Sequence, residues 1–113
     1  MKLVSKISIS ELSAMAENMY GNLVKAVVDI EKNKLVVDAE MHADGEQYLL
    51  EDGSRQSDLW GLNLYPNKFG ADDFIEFDSM INIRPRQMNM SRDIEDTEIR
   101  NRIITLVQQK IIK

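Results

Sequence analysis

The sequence predicts a single α+β domain of order αββαββα, built on a mainly antiparallel four-stranded sheet with helices packed on one of its faces. Three observations carry this expectation. Amphipathic helical patterns lie near each end of the chain. Four stretches between them place apolar residues at alternate positions, the period of a half-buried strand. Finally, 113 residues of which 43% are hydrophobic suffice for one core, and no repeat, low-complexity tract or linker divides them. We expect residues 1–113 to form one domain.

The first helix is expected over about residues 9–20. Ser8 and Glu11 read as a capping box, in which a hydroxyl accepts a free backbone N–H and the Glu reaches back. Ile9, Leu12, Met15, Ala16, Met19 and Leu23 follow helical spacing, so Met15 and Met19 read as core, and Gly21 is a natural stop. Residues 23–31 and 34–42 then read as a β-hairpin turning on Lys32-Asn33, where Asn tolerates positive φ. Setting Glu31 opposite Lys34 aligns Ile30 with Leu35, Val28 with Val37, Ala26 with Ala39 and Val24 with Met41, and puts Lys25 opposite Glu40.

A short helix is expected near 45–52, on the capping pattern of Asp44 and Gln47, with Gly53 as its end. A third strand spans 59–65, where Trp60, Leu62 and Leu64 alternate with Gly61 and Asn63 before Pro66 stops it. A fourth spans 74–84, with Ile75, Phe77, Ile81 and Ile83 on one face and Glu76, Asp78, Asn82 and Arg84 on the other. Residues 86–94 read as an irregular loop. The last helix, about 96–111, carries Ile99, Ile103, Leu106, Val107 and Ile111 as its apolar stripe. Helices on one face leave the other partly open to water.

Composition excludes several functions. The chain has no cysteine, which removes disulfides, thiolate zinc sites and thiol nucleophiles and fits a reducing compartment. A net charge of −5 disfavours nucleic-acid binding, which depends on neutralising phosphates. The N-terminus lacks a signal-peptide apolar region, and no apolar stretch approaches the roughly 20 residues that span a bilayer. We therefore expect a cytoplasmic protein without a membrane anchor.

Taken together, Asp58-Leu59-Trp60-Gly61-Leu62-Asn63-Leu64-Tyr65-Pro66, the stretch from Asp73 to Pro85, and Ser91-Arg92 with Glu95-Asp96 before the last helix resemble a family of small prokaryotic proteins known as a domain of unknown function. The resemblance runs from the first helix to the last and implies a stand-alone domain. It implies no activity, substrate or site residue.

Two constellations merit testing as sites. Glu40 and His42, with Asp38, alternate along the second strand, and Glu76 and Asp78 along the fourth, so carboxylates and one imidazole would converge if those strands are close. Such a cluster could supply a general acid and base or hold a divalent cation, although one histidine without cysteine is a weak zinc signal and no metal or cofactor is assigned. The plainer account, a charged face shown to water, is preferred. The second constellation is Arg84, Arg86 and Arg92, whose guanidinium forks match phosphate or carboxylate and which approach a helix N-terminus. Against this, Asp93, Glu95 and Asp96 could pair with them and pin the loop. Met80, Met88 and Met90 would mark a protein contact if exposed. Trp60 reads as a core anchor, and no nucleophile elbow or phosphate-cradling glycine motif is present.

The residues thus favour a non-catalytic binding domain that uses an open sheet face and the 84–92 loop to contact a protein partner or a second copy of itself. The alternatives are a small enzyme or metal-dependent protein centred on Glu40, His42, Glu76 and Asp78, and an anion- or nucleic-acid-contacting module using Arg84, Arg86 and Arg92.

Overall fold

The computed structural model describes residues 1–113. Its elements are β1 (Lys2–Val4), β2 (Ile7–Ser8), α1 (Ile9–Asn18), β3 (Val24–Asp29), β4 (Lys34–Ala39), α2 (His42–Glu51), β5 (Leu59–Leu64), β6 (Ile75–Glu76), α3 (Thr97–Lys110) and β7 (Ile111–Ile112). The main sheet has five antiparallel strands in the order β1-β4-β3-β5-β6, and β2 and β7 form a separate parallel pair. The α+β class and three helices agree with the sequence. The strand count does not, because β1, β2 and β7 are too short to show a period.

Caps and stripes place α1 and α3 where expected. The Ser8 hydroxyl accepts the Glu11 N–H at 3.1 Å, and the Asp96 carboxylate accepts those of Glu98 and Ile99. Leu12 and Ala16 from α1 and Ile103, Leu106 and Val107 from α3 cover one sheet face, packing on Val24, Ala26, Val28, Leu35, Val37, Trp60, Leu62 and Leu64. Trp60 is a core anchor, as its phase with Leu62 and Leu64 requires. Met19, by contrast, is exposed.

The hairpin differs in register. Asp29 pairs with Lys34, Val28 with Leu35 and Val27 with Val36, two residues away from the expected alignment. Asp29 is the cause. Its fully buried carboxylate accepts the N–H groups of Glu31 and Lys32, each at 2.9 Å, and the Ser54 hydroxyl at 2.6 Å. The turn therefore widens to residues 30–33, with Asn33 at φ 57°. A two-residue slip preserves the faces, because side chains alternate with period two. Further along, Asp38 takes φ 61° at a bulge, and Lys25 lies opposite Ala39 instead of Glu40.

The bulge turns Ala39 to the second face, which is not open. There α2 packs Leu49 against Val27, Val36 and Leu59. Gly45 permits the close approach, since a Cβ at that position would lie 2.8 Å from Val27 Cγ2. Helices thus flank both faces, which corrects the one-sided packing expected. Helix α2 begins at His42, not near 45, because the Asp44 carboxylate accepts the Met41 N–H at 3.1 Å from the third helical position instead of serving as the cap.

The fourth strand is also shorter than expected. Pairing ends at Glu76, and Asn82 takes over the role of a neighbouring strand. Its buried amide accepts the Gly61 N–H at 2.8 Å and donates to the Gly61 carbonyl at 2.9 Å and the Arg92 carbonyl at 3.0 Å. Ile75 and Phe77 face the main core, as phased, whereas Ile81 packs on the second cluster and Ile83 is exposed.

Candidate functional site

The side chains singled out in the sequence reach three different places. Glu40 stands exposed beyond the bulge, in a shallow concavity shared with Asp38 and Asp44, away from the other three. His42 and Asp78 come together in a small cleft of about 180 Å³, with Lys25, Asn63, Met80 and Arg92. Glu76 lies outside that cleft and is tied to it through Asn63, whose Nδ2 donates to Glu76 Oε1 at 2.9 Å.

His42 enters the cleft from the first turn of α2. Its Nε2 lies 2.9 Å from the Leu62 carbonyl, an acceptor that selects the tautomer with the proton on Nε2. Burial holds the imidazole below its ordinary range, Lys25 pushes the same way, and the Leu62 carbonyl, Asn63 and Asp78 act in opposition. Asp78 accepts Arg92 Nε at 2.6 Å. Glu76 also accepts the Tyr65 hydroxyl at 2.8 Å, and burial together with this carboxylate pushes the phenol up to about 12. The Lys25 ammonium lies 4.7 Å from the centre of the Tyr20 ring. Asn63 Oδ1 is buried and accepts no hydrogen bond.

The imidazole proton is held by a backbone carbonyl, and the nearby Ser79 is buried, with its oxygen accepting the Ile81 N–H. No group of three or more His, Asp or Glu side chains converges in a way that could hold a metal ion. What the cleft does present is a polar floor of both charge signs, walled by the exposed side chains of Met41 and Met80.

The three arginines diverge. Arg84, a candidate anion ligand, is engaged within the protein. Its Nε donates to the Ile81 carbonyl at 3.1 Å, Nη1 to the Gln56 carbonyl at 2.8 Å, and Nη2 to Glu46 at 3.3 Å, while the guanidinium stacks 4.7 Å from the Trp60 ring. Burial lowers its pKa and Glu46 works against that. Arg92 pairs with Asp78, and Arg86 is exposed without an ion pair.

The acidic residues after the loop pin it differently from the expected arginine pairing. Glu95 accepts the N–H groups of Met90 and Ser91 at 2.7 and 3.0 Å, contacts that hold its carboxyl below the usual range. Asp93 pairs with Arg100, and Asp96 caps α3.

Two buried asparagines, Asn82 and Asn89, organise the segment. Asn82 completes the edge of β5. Asn89, also buried, donates to the carbonyls of Asn82 and Asp93, each at 2.7 Å, and accepts the Glu95 N–H at 2.9 Å. The available signal was an amide beside apolar neighbours, and its role emerges only once Gly61, paired with Val27 on one side, is seen to lack a strand on the other.

Within residues 80–92 the side chains of Asn82, Arg84 and Asn89 are directed inward, while Met80, Ile83, Met88 and Met90 are exposed, Met88 to 84%, beside the exposed Arg86, Gln87, Ser91 and Arg92. No helix of the protein is long and apolar enough to cross a membrane. Comparison with curated proteins finds no match, and comparison with solved structures finds none. A family model described as a protein of unknown function, DUF5674, matches residues 2–110, and the chain belongs to that family.

Proposed function

We propose that this domain is a non-catalytic binding module whose recognition surface is the 80–92 segment together with the methionine-walled cleft beside it. The observation that carries the reading is the group of four exposed apolar side chains, Met80, Ile83, Met88 and Met90, on a segment held by buried amides. An ordinary surface loop turns polar side chains to water. Here Asn82, Asn89 and Arg84 face inward and hold the segment, while three of the outward positions carry flexible, polarizable methionine side chains suited to an irregular apolar surface, flanked by Arg86 and Arg92. This refines the expectation of an open sheet face, since α2 covers that face.

Charge narrows the partner. Lys25, Arg86 and Arg92 stand on this side of an otherwise acidic chain, against Asp78 alone in the cleft. The surface suits a protein segment that is apolar and bears carboxylates, and a second copy of this chain is the occupant tested first.

Sedimentation velocity over a wide concentration range tests the second copy, and affinity capture compares the wild-type chain with a Met80→Lys, Met88→Lys, Met90→Lys variant. Self-association, or a retained protein, that the variant loses supports the proposal. A strict monomer whose retained proteins do not change with the variant contradicts it.

A further inference from the structure

A partly enclosed, mainly apolar cavity lies elsewhere, between α3 and residues 69–77. We propose that it is a binding site for a small monocarboxylate with an apolar body, such as a medium-chain or aryl carboxylic acid. The proposal is independent of the methionine surface.

The cavity measures about 400 Å³, within the range of roughly 300–1,000 Å³ that small-molecule sites occupy. Phe69, Phe74 and Phe77 wall it on one side and Ile104, Val107 and Ile111 on the other. Phe69 and Phe74 meet edge to face, with centroids 5.2 Å apart, so these rings support each other. An apolar body would be desolvated here against rings and branched aliphatic groups, the environment in which burial is most favourable.

The polar groups at the rim select the head group. Arg100 is held by its Nη1, which donates to Asp93 Oδ1 at 2.8 Å and to the Ile94 carbonyl at 3.1 Å, and its Cζ lies 4.8 Å from the centre of the Phe77 ring. Its Nε and Nη2 donate to no protein acceptor, so the guanidinium is fixed in place and keeps the edge that binds a carboxylate through two parallel hydrogen bonds. Gln108 adds an amide to the lining. Asp72, exposed on the same rim, opposes a second negative charge. One guanidinium beside one carboxylate therefore suits a monocarboxylate better than a phosphate dianion.

The test is a titration of the full chain with octanoate, octanamide and octyl phosphate, followed by ¹H–¹⁵N and methyl NMR. Octanoate is expected to shift Phe77, Arg100, Ile104 and Val107 saturably, and to bind about tenfold or more tighter than octanamide, the ratio that a charge-assisted hydrogen bond sustains. Octyl phosphate is expected to bind more weakly than octanoate. Arg100→Gln should abolish the preference for the acid while leaving octanamide binding in place. Ile104→Trp, which fills the cavity, should abolish saturation by either, with an otherwise native spectrum confirming the fold. Equal binding of octanoate and octanamide, shifts confined to other surfaces, or saturation unaffected by Ile104→Trp would overturn the proposal.

Discussion

Replacing Asn82 with Ala removes a side chain that is fully buried and holds both backbone groups of Gly61. The Arg92 carbonyl keeps a partner in the Ser79 N–H at 3.1 Å, but the Gly61 N–H and carbonyl are left without one inside the protein. Each buried backbone group deprived of its hydrogen bond costs about 1–3 kcal/mol, so the variant should lose about 2–6 kcal/mol. Against a total stability of about 5–15 kcal/mol for a domain, that is a large fraction. Urea denaturation followed by Trp60 fluorescence measures it. With a slope of about 1–3 kcal/mol per molar for a small protein, the midpoint should fall by about 2 M at unchanged slope. Asn82→Asp sharpens the test, since it keeps the acceptor for the Gly61 N–H but sets a carboxylate against two carbonyls. That variant should regain stability as pH falls and the carboxyl becomes a donor. A loss below about 1 kcal/mol for Asn82→Ala would refute the view that this amide stands in for a strand.

Gly61→Ala would put a Cβ 2.6 Å from Ser79 Oγ and 2.7 Å from its Cβ, so a loss of about 1–3 kcal/mol is expected in thermal or urea melting. Asp96→Ala removes the cap of α3 and should cost about 1 kcal/mol, read the same way. The single histidine gives a clean proton titration by NMR. Its folded pKa lies below the ordinary value of 6.5, so both states are neutral well above that pH. As pH falls from 6.5 toward the folded value, the unfolded chain takes up a proton that native His42 resists, and stability declines through that window. His42→Gln should remove this part of the pH dependence, and a His42 titration at or above 6.5 would contradict the burial argument.

Much of the scaffold was legible because periodicity and capping are local. Ser8 capping α1, the stripe of α3, and Trp60, Leu62 and Leu64 in phase with Val24, Ala26 and Val28 all follow from spacing. What escaped is non-local. Asp29 widens the hairpin turn by accepting the Glu31 and Lys32 N–H groups, and its buried carboxylate is held there by Ser54, twenty-five residues away. Asp38 adopts positive φ at a bulge, which sends Ala39 to the opposite face and lets α2 begin early enough to claim His42. The 74–84 stretch alternates like a strand, yet Asn82 pairs through its side chain and the backbone leaves the sheet.

The same events divided the candidate site. His42 and Asp78 do share a cleft, although His42 comes from a helix and not from the strand that suggested it. Arg84 looked like an exposed anion ligand because its neighbours are polar, and only the tertiary structure shows the carbonyls, Glu46 and Trp60 that enclose it.

The central claim is that residues 80–92 form a rigid scaffold presenting methionines for contact with a protein. Selective ¹³C labelling of the methionine methyl groups tests it directly, observed while the chain is concentrated or mixed with a captured partner. Broadening or shifts confined to Met41, Met80, Met88 and Met90, with Met15 unchanged, is the result expected. Uniformly narrow, unshifted signals from those four, under conditions where a complex demonstrably forms, would contradict it.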